Sequence, residues 1–360
     1  MALSKLNIPK IPEIGKDEIL LLERLSNAHA VSGNEGEVRS IVLEAIKPFA
    51  DEIKIDKMGN VLATHKPQKS PALKVMLAAH MDEVGFMITH KEEGGFYRFE
   101  PVGGIDIRQI PGKAVCIGKD HVFGVMGTRP IHLQKKEERK SVIEMNDIYI
   151  DAGENDKITP GERASFATLF RRIGPSVIGK ALDNLLGVAT LIELMKQAPP
   201  DIELQAAFTV QEELGLRGAQ IAAYTFNPDM AFIIDSTPAR DLPSWDHSEN
   251  ANYNTRLGYG AAIYIADSGT ISDPRLVKYL ENIAAENKIP YQFRQPGGGK
   301  TDAASIHLTR AGVPSVSVSV PGRYAHTAAM LARISDWQSV LALLFAALHS
   351  IPQDLLKDPR

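Results

Sequence analysis

Residues 203–235, ELQAAFTVQEELGLRGAQIAAYTFNPDMAFIID, decide the fold. The apolar run 203–210 has the length of a strand, 217–225 follows with helical spacing, and 230–234 is a second apolar run. Strand, helix and strand in succession build a parallel sheet covered by helices on both faces. The same alternation continues in both directions. Helices are expected at 17–28, 35–49, 184–197, 274–287, 303–310 and 337–348, and strands at 73–79, 291–294 and 313–320. From about 84 to 172 the texture changes to short β-like runs, such as 95–101, 114–117 and 148–151, broken by Gly and Pro. The expected fold class is α/β: a mixed, mostly parallel sheet sandwiched by helices, formed by residues 1–85 and 173–360. A small all-β barrel, residues 86–172, interrupts it.

With 360 residues, 44% of them hydrophobic, the chain can bury a large core and divide into two domains. Its 40 basic and 44 acidic residues give a formal charge of -4 with no long run of either sign, which argues against a nucleic-acid or membrane-surface partner. The short basic stretch Lys135, Lys136, Arg139 and Lys140 is interleaved with Glu137 and Glu138 and reads as a solvated loop. Cys116 is the only cysteine, so neither a disulfide framework nor a zinc-thiolate site can form, and a reducing compartment is favoured. Residues 1–18 lack the apolar core of a signal peptide, and no 18-residue apolar run occurs elsewhere. The expected location is the cytoplasm.

Two adjacent glutamates, Glu212 and Glu213, close the run 203–210. Burying carboxylates at a strand end costs several kcal/mol unless a cation or a hydrogen-bond network compensates. Open α/β sheets carry their functional groups at strand ends, and other candidates sit there too. His80 and Asp82 follow the run 73–79, Asp235 follows 230–234, and His326 lies a short loop beyond 313–320. Asp183 instead opens the helix 184–197. His, Asp and Glu from separate strands, without thiolates, suit Zn, Co or Mn. Each residue alone has an ordinary explanation. Asp183 could cap its helix, Glu212 or Glu213 could pair with Arg217, Asp235 could cap a turn with Ser236 and Thr237, and His326 could satisfy a loop carbonyl. Their coincidence at the sheet edges of one domain favours a shared site.

The successive segments Ala79-His80-Met81-Asp82-Glu83-Val84-Gly85, Lys180-Ala181-Leu182-Asp183-Asn184, Val210-Gln211-Glu212-Glu213-Leu214-Gly215, Asp235-Ser236-Thr237-Pro238, Thr301-Asp302-Ala303 and Arg323-Tyr324-Ala325-His326 span nearly the whole chain. In this order they resemble the motifs of the dinuclear aminopeptidases of metallopeptidase family 42. These are the glutamyl and tetrahedral (TET) aminopeptidases, some of which were named endoglucanases. The resemblance implies two divalent ions per subunit, Zn or Co with Mn as a third option, bridged by Asp183. One ion would add Glu213 and His326, and the other His80 and Asp235. It also implies that Glu212 is the general base acting on a metal-bridging water or hydroxide, and that Asp82 orients His80. The implied substrates are short peptides. The inserted barrel resembles the family's dimerisation domain, from which hollow tetrahedral dodecamers are built, and Ile105, Ile107 and Ile110 are candidates for either the contact or the barrel core.

Leu185 replaces the usual arginine after Asp-Asn, Thr327-Ala328 follows the last histidine where Ser is common, and Lys300 separates the run Gly297-Gly298-Gly299 from Thr301. Lys300 suits either acidic substrate side chains or solvent. A related dinuclear deacylase or carboxypeptidase is the nearest alternative. A glycoside hydrolase needs two carboxylates roughly 5 to 9.5 Å apart but none of His80, Asp183, Asp235 and His326, and 6% aromatic residues offer few sugar platforms. A non-catalytic scaffold would have no use for Glu212 and a full ligand set.

Overall fold

The structure is a computed structural model that describes residues 8–243 and 255–358; the first seven residues of the segment 1–18 read above lie outside these. The chain enters through α1 (Lys16–Asn27) and α2 (Gly36–Ile46), then β1 (Glu52–Ile55), β2 (Val61–His65) and β3 (Lys74–His80). Six strands follow: β4 (Gly85–Lys91), β5 (Phe96–Val102), β6 (Ala114–Ile117), β7 (Val122–Gly127), β8 (Tyr149–Asp151) and β9 (Arg163–Phe166). They close an antiparallel barrel in the order β4-β5-β8-β7-β6-β9. The chain returns through β10 (Arg171–Ile173), β11 (Ser176–Gly179), α3 (Leu182–Lys196), β12 (Glu203–Thr209), α4 (Arg217–Phe226), β13 (Met230–Pro238) and β14 (Ala261–Tyr264). It ends with α5 (Pro274–Glu286), β15 (Tyr291–Arg294), α6 (Ala303–Ile306), β16 (Ser315–Arg323), β17 (Met330–Arg333) and α7 (Ile334–Leu348).

Among the described residues the large sheet has eleven strands. Its centre, β12-β3-β13-β16, is parallel, and antiparallel strands extend it on both sides, β2 and β1 beside β12, and β17, β11 and β10 beyond β16. Both faces are dry because side chains alternate along each central strand. Val75, Leu77 and Ala79 of β3 join Leu204, Ala206 and Phe208 of β12 and Phe232 and Ile234 of β13 in a core shared with α1, α2, α3, α5 and α7. Met76, Ala78, Ala207, Ala231 and Ile233 point the other way, onto α4 and α6. This is the α/β fold class expected, with helices on both faces and a closed barrel between β3 and β10. α3 is apolar nearly all round, as a helix sealed between a sheet and other helices must be.

Three readings change. The helix expected at 303–310 is one short turn, Ala303–Ile306; beyond it the Thr309 N–H bonds the Ile306 carbonyl and the Gly312 N–H the Thr309 carbonyl, and left-handed Arg310, with φ of 55°, follows before β16. Ile110 is fully buried in the barrel, with Ile105 and Ile107 packed against the same cluster, so these three serve the barrel core. β1, β2, β10, β11, β14 and β17 were not foreseen; they are only three to five residues long, too short for a periodic signal.

One buried ion pair ties the segment between sheet and barrel to the rest. Lys180 Nζ donates to Glu83 Oε1 and to the Ala28 carbonyl, both at 2.6 Å, and the Ala30 N–H donates to Glu83 at 3.0 Å. Both side chains are 3% exposed. Burial pushes the Glu83 carboxyl up, and Lys180 opposes that shift. Lys180→Met would strand Glu83, so urea unfolding should show a loss of about 3–5 kcal/mol, much of which Lys180→Met with Glu83→Leu should restore.

Candidate active site

Strand register sets the floor of the site. Thr209 of β12 pairs with His80 of β3, and β13 pairs with β3 as far as Ile233 with Ala78. Asp235, two residues further along β13, is therefore level with His80. β13 itself continues to Pro238, so Asp235 lies within the strand and not at its end. It is β3 that stops there, and the space above its end is the site.

Asp183 occupies an irregular entry to α3. Ala181 is left-handed at φ 55°, Asp183 has φ -86° and ψ 103°, and the Asp183–Asn184 peptide is cis. No side chain caps this helix start, so the capping role offered as the ordinary explanation of Asp183 is not the one it plays. Asn184 anchors the turn instead, donating from Nδ2 to the Ile234 carbonyl at 2.8 Å and accepting the Gly187 N–H at 3.1 Å. The Asp183 carboxylate is thus left to face both histidines. His80 Nε2 lies 3.5 Å from Asp183 Oδ1 and 3.6 Å from Asp235 Oδ1. His326 Nε2 lies 3.5 Å from Asp183 Oδ2 and 3.3 Å from Glu213 Oε1. The two groups, His80-Asp183-Asp235 and Asp183-Glu213-His326, each bring three donor atoms within 4.8 Å of one another, and Asp183 belongs to both.

The glutamates are aimed by a tight exit from β12. The Val210 N–H donates to Asn60 Oδ1 at 2.9 Å, and Gln211 turns the backbone with φ of 55°. The fully buried Asp82 carboxylate then accepts the N–H of Glu212 at 3.0 Å, the N–H of Glu213 at 3.2 Å and the Ser32 hydroxyl at 2.5 Å. His80 Nδ1 is 3.0 Å from the Asp82 backbone carbonyl and 3.5 Å from its Oδ1. Asp82 therefore grips the glutamate turn as well as the imidazole, a contact that residue spacing alone does not reveal. Arg217 reaches Gln211 Oε1, at 3.3 Å, and not the glutamates. His326 Nδ1 donates to the Gly104 carbonyl at 2.8 Å, so the loop carbonyl offered as its ordinary explanation exists and leaves Nε2 for the carboxylates.

The charges fit a site that takes up cations. Burial, helped by Asp235, Asp302 and Glu213 and opposed by His80, raises the Glu212 carboxyl well above its usual range. Burial likewise pushes Glu213 up to about 8, and it raises Asp235. Burial works against protonating the two imidazoles, yet the carboxylates win: Asp183, Asp235 and Asp82 hold His80 well above its ordinary value, and Asp183 and Glu213 bring His326 to about 10. Glu212, Glu213 and Asp235, which lean toward protonation, and Asp183, which His326 and His80 hold ionised, stand beside imidazoles that keep extra protons and form a nest of oxygen and nitrogen donors that suits added positive charge. Divalent cations of the Zn, Co or Mn type match that donor set.

Both groups open into a cavity of about 470 Å³ whose lining includes Glu212, Gly104, Tyr264, Arg294 and Lys300. Lys300 is exposed and sits on the cavity wall, while Leu185 is fully buried in the core and Thr327 Oγ1 donates to the Tyr324 carbonyl at 2.7 Å. Asp302 was missed as a site residue. It is 1% exposed, accepts the Thr209 hydroxyl at 2.6 Å behind His80, and leaves Oδ1 without a hydrogen-bond partner among the described residues. Burial pushes its carboxyl up to about 7. Its signal in the sequence was its place in the motif segment Thr301-Asp302-Ala303, to which no role was attached.

This chain belongs to the M42 glutamyl aminopeptidase family, whose pattern matches residues 59–343. The lysyl aminopeptidase of Pyrococcus furiosus is 30% identical over 349 residues, covering 93% of this chain and 98% of its own. Aminopeptidase APDkam598 from the archaeon Desulfurococcus kamchatkensis superimposes with a TM-score of 0.87 at 34% identity, covering 92% of this chain and 94% of its own. The TET1 peptidase of Pyrococcus horikoshii, described as able to assemble into a tetrahedron or a large octahedral shell, is 31% identical with a TM-score of 0.80, covering 91% and 98%.

Proposed function

We propose that this chain is a metal-dependent aminopeptidase that removes N-terminal residues from short peptides, with Glu212 as general base. The observation that carries this reading is the sharing of Asp183 between two His-carboxylate groups in the floor of one cavity, with Glu212 on the same cavity but in neither group. His80, Asp183 and Asp235 would hold one divalent ion, and Asp183, Glu213 and His326 the other, as zinc or cobalt with manganese as the third option. When bound, the ions polarise the scissile carbonyl and make water more acidic. Glu212 takes the proton of the attacking water and returns it to the leaving amine. Asp82 keeps Glu212 aimed by gripping its backbone N–H while it orients His80.

The division into a catalytic domain of residues 1–85 and 173–360 and a dimerisation barrel of 86–172 belongs to the same proposal. Exposed Phe123, Ile131, Leu133 and Val142 on the barrel segment support self-association, as dimers and on to a tetrahedral dodecamer. A cytoplasmic location belongs to the same proposal and is in keeping with the single cysteine. Aminoacyl chromogenic substrates test the activity. Cleavage should vanish after dialysis against a strong chelator and return with zinc or cobalt; activity that survives complete metal removal sinks the reading.

A further inference from the structure

The two halves of the site differ in what holds their histidine. His80 is 2% exposed, and its Nδ1 is satisfied by Asp82 two residues along the same strand exit. His326 stands on a loop with φ of 58°, its side chain 41% exposed, and its Nδ1 hydrogen bond goes to Gly104, in the segment that follows β5 of the barrel. The same segment touches the other member of that half. A Cβ at Gly103 would lie 3.3 Å from Glu213 Cβ, and one at Gly104 would lie 3.3 Å from His326 Nδ1. The barrel therefore packs its backbone, with no side chain between, against Glu213 and His326, whereas His80 and Asp235 stand on sheet strands β3 and β13.

We infer that the Gly103-Gly104 segment of the barrel is a positioning element for His326, setting occupancy of the Asp183-Glu213-His326 half and leaving the His80-Asp183-Asp235 half alone. Donation of the Nδ1 proton to the Gly104 carbonyl fixes the tautomer in which Nε2 carries the lone pair, and it stops rotation of an otherwise half-exposed ring. Absence of a side chain at 104 is what allows the carbonyl to come within 2.8 Å of the ring. The inference rests on the proposal above that both groups hold cations.

Titrating metal-free protein with cobalt, followed calorimetrically, tests it. Gly104 is exposed and its φ is ordinary, so alanine and valine are compatible with its backbone. Wild type should bind two ions. Gly104→Val should weaken one of them by roughly 10–100-fold, the usual loss when the partner behind a metal-binding histidine is disturbed, with the other affinity and the melting temperature of the metal-free protein unchanged. Gly104→Ala should lie between. Two unchanged affinities in Gly104→Val, or two equal losses, overturn the positioning role. Wild type that binds fewer than two ions overturns the two-ion reading itself, and this inference with it.

Discussion

Glu212→Gln should leave an enzyme that still binds about two metal ions yet hydrolyses aminoacyl substrates roughly 10²–10⁴-fold more slowly than wild type. The amide keeps the size of the carboxylate and the backbone N–H bond to Asp82, so the turn that aims residue 212 is retained. Only the capacity to take up and return a proton is removed. Residue 212 belongs to neither donor group, which is why metal content and rate should separate. The measurement is kcat alongside metal analysis of the same preparation. A variant that loses its metal together with its rate would make Glu212 a ligand, and a variant with wild-type rate would remove it from the chemistry.

Asp183→Ala should instead abolish metal binding and activity together. Each of its oxygens faces a different histidine, at 3.5 Å in both cases. Loss of that carboxylate removes a donor from both groups and also deprives each imidazole of one of the partners that hold its charge. The effect on both ions should exceed the roughly 10–100-fold typical for a residue that only supports a ligand. Asp235→Ala and Glu213→Ala are the controls, since each belongs to one group alone. Equilibrium dialysis with zinc separates the cases, and one ion retained at full affinity in Asp183→Ala would show that this carboxylate is not shared.

The parallel centre of the sheet was legible because β3 and β13 hold continuous apolar runs, as strands buried on both faces do, and because β16 alternates Ser and Val over a strand's length. The flanking strands were not, for β1 is exposed along its whole length and β10 likewise. The candidate ligands were legible as acidic and histidine residues at the ends of buried runs, and the structure brings His80, Asp183, Glu213, Asp235 and His326 to one cavity with Glu212. What lay beyond reading was the way backbone groups hold them. The Asp82 grip on two N–H groups and the Gly104 carbonyl behind His326 depend on chain direction in three dimensions, and a carbonyl has no letter in the sequence. Asp302 was obscured for another reason: its hydroxyl partner, Thr209, is far away in the chain.

The insertion of the barrel directly after β3 has a consequence for biosynthesis. The barrel strands between Gly85 and Phe166 find their strand partners within that stretch, so their ladders can close as soon as it leaves the ribosome, with the Gly104 carbonyl left to meet His326 later. β3, made earlier, must wait for β12 and β13, which begin at Glu203 and Met230. At typical translation speeds of roughly 5–20 residues per second, that is a delay of about 6–25 s for an apolar strand with both edges bare. The nascent chain thus carries a finished module beside a sticky, unfinished one, and the interval before β12 appears is when a holding chaperone has most to protect.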